Sequence, residues 1–161
     1  MYSRKINLAL LFTRIAVGIV FFAHGGQKVF GWFGGKGLAA TVDGMTKAGM
    51  PAVIPYLVAF GELAAGLGLI VGLLTRIAAG GMFIEMLGAV LLVHLKGGFF
   101  AENKGFEYPL TLCLVCLALM LTGAGAYSFD ALLHRNALPA ARSAPGVAGE
   151  RVVTPGRRVV G

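Results

Sequence analysis

Charge is what this 161-residue sequence has least of: Asp, Glu, Lys and Arg together make up 13% of it, against roughly 25% in an ordinary soluble domain. Acids are scarcest, seven against fourteen Lys and Arg, and the formal net charge is +7. That excess alone would fit a nucleic-acid binder, but such a binder needs a charged, water-facing surface that this chain lacks. Cysteine is limited to Cys113 and Cys116, both inside an apolar run, which excludes a disulfide-stapled secreted module. No Gly-x-Gly-x-x-Gly and no Cys-x-x-Cys-His occurs, so no flavin, nicotinamide or haem motif is legible and no covalent cofactor is expected. Neither His-x-x-x-His nor Glu-x-x-His is present, and no metal site is assigned. What is abundant is apolar: 57% hydrophobic residues, a mean hydropathy of +0.81 and 25 glycines. The composition is that of an all-α integral membrane protein with one compact domain.

A hydrocarbon core about 30 Å thick takes a helix of around 20 apolar residues. Four runs approach this: Ile6 to Phe30, Val53 to Leu74, Ile77 to Leu95, and Tyr108 to Leu121 or a few residues on, to about 125. They predict a four-transmembrane-helix bundle over residues 1–130. The first run carries Arg14 in its middle and ends in His24, Gly25, Gly26 and Lys28, unlike a cleaved signal peptide, so it is read as a retained helix. Leu74-Thr75-Arg76 is short enough to make a tight hairpin of the second and third spans. After the first span, Leu38, Val42 and Met45 recur at helical spacing opposite Asp43 and Lys47, predicting a short amphipathic interfacial helix. From about Ala137 the composition turns to Pro, Ala, Gly, Arg and Val without period. Residues 131–161, with five arginines and one acid, are read as a disordered basic tail. Lys and Arg beside the spans are nearly balanced, and the tail arginines favour cytoplasmic N- and C-termini in a bacterial inner membrane. The glycines are expected to serve close helix packing, with Gly61 and Ala65, Gly68 and Gly72, and Gly81, Glu85 and Gly88 along the contacting faces.

Ionisable side chains in hydrocarbon cost at least about 2.5–3.5 kcal/mol, so each marks a paired or functional position. At about 1.5 Å of rise per residue, Arg14 and Glu85 lie roughly 12 Å from the inner boundary and Glu62 roughly 18 Å. Arg14 is therefore expected to pair with Glu62 or Glu85, as a clamp on helix register or as a proton or redox group. His24 and His94 fall about 26 Å up by the same rise, near Lys28, Tyr56, Glu107 and Tyr108. Proton handling suits two histidines beside a lysine able to hold an anionic or quinone oxygen. Interfacial snorkelling of Lys28 and helix-to-helix hydrogen bonding of the histidines are the structural alternatives. Nine residues separate Glu85 from His94, which puts them on nearly opposite sides of an α-helix. The Cys113-Leu114-Val115-Cys116 pair lacks a helix N-terminus or cationic neighbour and reads as two small hydrophobes.

The membrane domain resembles the DoxX family over roughly Ala9 to Asp130. The resemblance is carried by Arg14-Ile15 with Gly18 and Phe22; by His24-Gly25-x-Gln27-Lys28-x-Phe30-Gly31-Trp32-Phe33-Gly34-Gly35-x-Gly37-Leu38; and by Gly61-Glu62 before Gly66. Gly72-Leu73-Leu74-Thr75-Arg76, Met86 with His94, Gly98-Phe99-Phe100 and Gly105-x-Glu107-Tyr108 complete it. The resemblance implies a quinone-associated oxidoreductase module linked to thiol, sulfur or oxidative-stress metabolism, with electrons supplied by a membrane or soluble partner or a small reductant. On that reading His24, Lys28, His94 and Glu107 hold the polar head of a quinone and pass protons. Trp32, Phe33, Tyr56 and Tyr108 enclose it, and Arg14, Glu62 and Glu85 order the inner half. Four short helices enclose little volume, so a pocket shared within a homo-oligomer is compatible with the sequence. The competing reading is a non-enzymatic scaffold or assembly factor for a partner complex. A proton-coupled transporter ranks below both, because no inverted repeat is evident.

Overall fold

The structure is a computed structural model that describes residues 2–136. Helix α1 (Arg4–Phe30) starts where the Ser3 hydroxyl accepts the N–H of Ile6, and stops at Gly31, whose φ of 75° only glycine adopts freely. A single 3₁₀ turn, Trp32–Gly34, leads to α2 (Gly37–Lys47), where the hydrophobic spacing predicts a helix. Helix α3 (Val53–Val71) ends at Gly72 with φ 79°. After the two-residue turn Leu73–Leu74, α4 (Thr75–Gly88) runs on through a π-helical segment, Ala89–His94, and a 3₁₀ turn, Leu95–Gly97. Helix α5 (Glu107–Thr122) and the short α6 (Phe129–Asn136) follow.

All regular elements among the described residues are helical. Three stretches, Arg4–Phe30, Val53–Val71 and Thr75–Gly97, are long and apolar enough to cross a membrane. Helix α5 is apolar but has 16 residues, about 24 Å at 1.5 Å each. It stops at Thr122 rather than near 125 because Gly123, at φ 81°, turns the chain away. Residues 131–136, assigned from sequence to a disordered tail, belong instead to α6, and the remainder of that expected tail, 137–161, lies outside the described residues.

The core between α1, α3, α4 and α5 is built from Phe21, Leu69, Met82, Met86, Cys116 and Leu119. The outward faces are equally apolar: Phe12, Ile19, Leu57 and Leu114 all stand exposed. Apolar side chains over so much of the surface would aggregate in water and are at home in lipid.

Small residues set the closest contacts. Of the predicted faces, Gly68 and Gly72 are closely approached, by Leu73 O and by the Arg14 guanidinium, and the tightest helix-to-helix contact falls elsewhere. A Cβ on Gly18 would stand 2.9 Å from the Gly66 carbonyl oxygen, and one on Gly25 would strike the Leu63 backbone. The α1–α3 interface is therefore sealed by Gly18, Gly25 and Gly66. Gly81 and Gly88 face open space and Gly61 only brushes Met82, so the expected α4 stripe does not pack. Gly25→Ala is expected to push α1 off α3 and cost about 1–3 kcal/mol, as overpacking of a tight contact does. Unfolding in detergent checks this against Gly81→Ala, which should be nearly neutral.

Candidate functional site

A cavity of ≈ 810 Å³ lies between the C-terminal half of α1, the N-terminal half of α3, the end of α4 with its π segment, and the start of α5. Its wall is largely apolar, from Val20 and Phe21 on α1, Ile54 and Val58 on α3, Leu92 on the π segment and Leu112 on α5. Met45 from α2 and Met50 from the following turn also line it. Six side chains of the predicted site line the same space: His24, Lys28, Glu62, Glu85, His94 and Tyr108.

Lys28 and Glu62 form an ion pair, with the carboxylate nearly buried and the lysine a quarter exposed. Glu85 lies beside Glu62, so two carboxyl groups and one ammonium share the floor of the cavity. His24 bonds through Nδ1 to the Val20 carbonyl at 2.9 Å, and His94 through Nδ1 to the Lys104 carbonyl at 2.8 Å. A carbonyl only accepts, so each Nδ1 carries the hydrogen and Nε2 of each neutral ring is left as the proton acceptor. The Tyr108 ring lies 6.5 Å from that of His24.

His94 reaches this cavity through local geometry. Along an unbroken α-helix it would point away from Glu85, but the wider turns of Ala89–His94 wind less per residue and turn His94 part of the way back toward Glu85. Both therefore line one cavity, although nine-residue spacing on a regular α-helix would set them on nearly opposite sides.

Five predicted residues do not line the cavity: Glu107, Trp32, Phe33, Tyr56 and Arg14. Glu107 is spent on the loop before α5, its Oε1 accepting the Ala101 N–H at 2.8 Å. The Glu107 N–H in turn donates to Phe99 O at 2.9 Å, closing the loop. Trp32 stacks on Phe30 at 4.7 Å and covers Gly26, with Phe33 at its edge, so both aromatics brace the end of α1. Tyr56 stands exposed outside the cavity.

Arg14 pairs with neither Glu62 nor Glu85. Its guanidinium, 1% exposed, donates from Nη1 to Leu69 O (2.9 Å) and Ile70 O (3.1 Å) and from Nη2 to Tyr127 O (2.7 Å). Those α3 carbonyls are among the last of the helix, which have no partner within it and carry the negative end of its dipole. Gly72 makes room, since a Cβ there would strike the guanidinium. Opposite, Asp130 accepts the N–H of Leu74 (2.8 Å) and Thr75 (2.9 Å), capping the start of α4. Arg14 and Asp130 thus close the two ends of one hairpin. Cys113 and Cys116 are both free and buried in the core, where they pack as hydrophobes.

The family model described as DoxX matches residues 9–95. Among curated proteins, the chain is 30% identical over 134 residues to a Bacillus subtilis protein named "Putative oxidoreductase CatD", covering 83% of this chain and 93% of that one. It is 33% identical to "Inner membrane protein YqjF" of Escherichia coli, over 81% of this chain and 95% of the relative. It is 28% identical to "Uncharacterized membrane protein Rv3486" of Mycobacterium tuberculosis, over 80% and 83%. No solved structure matches.

Proposed function

Since the chain belongs to the DoxX family of membrane proteins, we propose that it is a redox module of the bacterial inner membrane whose cavity takes a quinone or a similar lipophilic redox molecule. On this reading α5 crosses the bilayer with α1, α3 and the Thr75–Gly97 stretch, giving four spans with both termini cytoplasmic. Helix α2 then lies at the outer surface, over the mouth of the cavity. The inner-membrane assignment follows the name of the E. coli relative, and the redox assignment that of the B. subtilis one.

The observation that carries the reading is one cavity whose apolar walls end in a small set of convergent polar groups, the usual anatomy of a small-molecule site. Lys28 and the Tyr108 hydroxyl are donors suited to a carbonyl oxygen of the head group. Nε2 of His24 and of His94 are acceptors suited to the O–H groups of its reduced form. Reducing a quinone to a quinol takes two electrons and two protons. The electrons come from a partner protein or a small thiol or sulfur reductant, and the protons pass through the histidines and the Glu62–Glu85 pair. Glu107, Trp32 and Phe33 hold the surrounding loops, and Arg14 holds the opposite end of the hairpin.

The test is thermal unfolding of the protein in lipid nanodiscs with a short-chain quinone. A ligand at about 100 times its Kd stabilises by about 2.7 kcal/mol. An isoprenoid alcohol with the same tail but no ring should give no shift, and His24→Ala should weaken the quinone response about tenfold, which is the value of one good polar contact. Equal responses of wild type and His24→Ala would sink the reading.

A further inference from the structure

A second cavity, of ≈ 630 Å³, lies at the opposite end of the molecule, between the start of α4, the end of α5 and α6. It owes nothing to the redox reading. Arg76 and His134 line it, with Thr75, Ser128 and the Gly123–Gly125 turn. Arg76 has no carboxylate partner among the described residues. It lies over Gly123, where a Cβ would come within 3.0 Å of its Nε, so the turn is shaped to let the guanidinium lie flat. Thr75 borders the same cavity and is fully buried, and its hydroxyl has no hydrogen-bond partner in the protein. Such an orphan is costly to bury and calls for a ligand or water.

The one acid lining the cavity, Asp130, is already engaged, both oxygens accepting backbone N–H groups of α4. Tyr2 bonds to Thr122 O at 3.5 Å, which brings the start of α1, with exposed Arg4 and Lys5, to this same end. Exposed Leu74 and Ile77 also line it, an apolar border like that of a site opening onto lipid.

We infer that this cavity is a phosphate-anion site, held by Arg76 with the Thr75 hydroxyl and His134, and filled by the headgroup of an anionic phospholipid or by free phosphate. The two sources share one chemistry: an oxyanion that takes the guanidinium fork and one hydroxyl donor. Basic pockets between membrane helices bind anionic headgroups in this way.

The test is native mass spectrometry of the full chain from detergent, titrated in separate arms with phosphatidylglycerol, phosphatidylcholine and inorganic phosphate. The expected result is saturable binding of one phosphatidylglycerol, or one phosphate, and no comparable binding of phosphatidylcholine. Arg76→Gln should weaken it about fivefold or more, the worth of one interfacial arginine. Arg4→Gln, which removes a charge at the same end but outside the cavity, should change it less than about twofold. Thr75→Val preserves shape and should weaken binding without loss of the fold. Phosphatidylglycerol binding that survives phosphate in excess identifies the lipid as the occupant, and binding displaced by phosphate identifies the ion. Equal weakening by Arg76→Gln and Arg4→Gln, or no specific binding in either arm, overturns the inference and leaves diffuse surface charge.

Discussion

Arg14→Leu should destabilise the protein by about 3–5 kcal/mol, more than any other single change at the hairpin, and sharply reduce the amount recovered from membranes. The size follows from what the guanidinium does. Its three bonds go to Leu69, Ile70 and Tyr127 carbonyls in a site that is 1% exposed. Each buried acceptor left without a donor costs about 1–3 kcal/mol. The Gly72 and Leu73 N–H groups both turn back to Gly68 O, so neither can replace the lost donor. Arg14→Lys should recover only part, because one ammonium cannot span the α3 end and the Tyr127 loop as a planar fork does. Denaturant unfolding in detergent reads both variants. A cycle with Glu62→Leu should show coupling near zero, since the two residues share no contact. A coupling of several kcal/mol would restore the Arg14–Glu62 ion pair that the sequence suggests.

That wrong pairing shows where sequence reading fails. The helices were legible because apolar runs of membrane-spanning length leave little choice, and α2 was legible from Leu38, Val42 and Met45. Heights counted along separate spans, however, assume that all helices stand upright from one plane. The actual register is fixed by contact: Gly25 presses on Leu63 in two antiparallel helices, which sets Lys28 beside Glu62 and leaves Arg14 at the far end of α3. Glycine counts alone could not tell Gly25 from Gly81, because closeness depends on which face meets a neighbour. His94 was placed in the right cluster by height, but its direction depended on the π turns of Ala89–His94, which no period-3.6 argument contains. Glu107, Trp32 and Phe33 were singled out for their chemistry, while the backbone N–H of Ala101 and the bare surface of Gly26 had the prior claim on two of them.

Lys28 and Glu62 support the second large effect, and the two single substitutions should not be equal. Lys28→Met leaves the Glu62 carboxylate, 5% exposed, without its cation and beside Glu85, and breaking a buried pair this way costs about 3–5 kcal/mol. Glu62→Leu leaves a lysine that is 25% exposed, with a flexible stem able to carry its charge toward water, so its cost should be nearer about 1–2 kcal/mol. The double variant Lys28→Met with Glu62→Leu should regain most of the loss, because apolar groups of similar volume often replace a buried pair without net cost. Stability then separates from function in one experiment. If the pair only fixes the α1–α3 register, which Gly18, Gly25 and Gly66 already seal, the double variant keeps both its fold and its response to a quinone. If Lys28 holds the ligand's oxygen, the double variant folds like wild type and shows no quinone-induced stabilisation, and that is the outcome expected here.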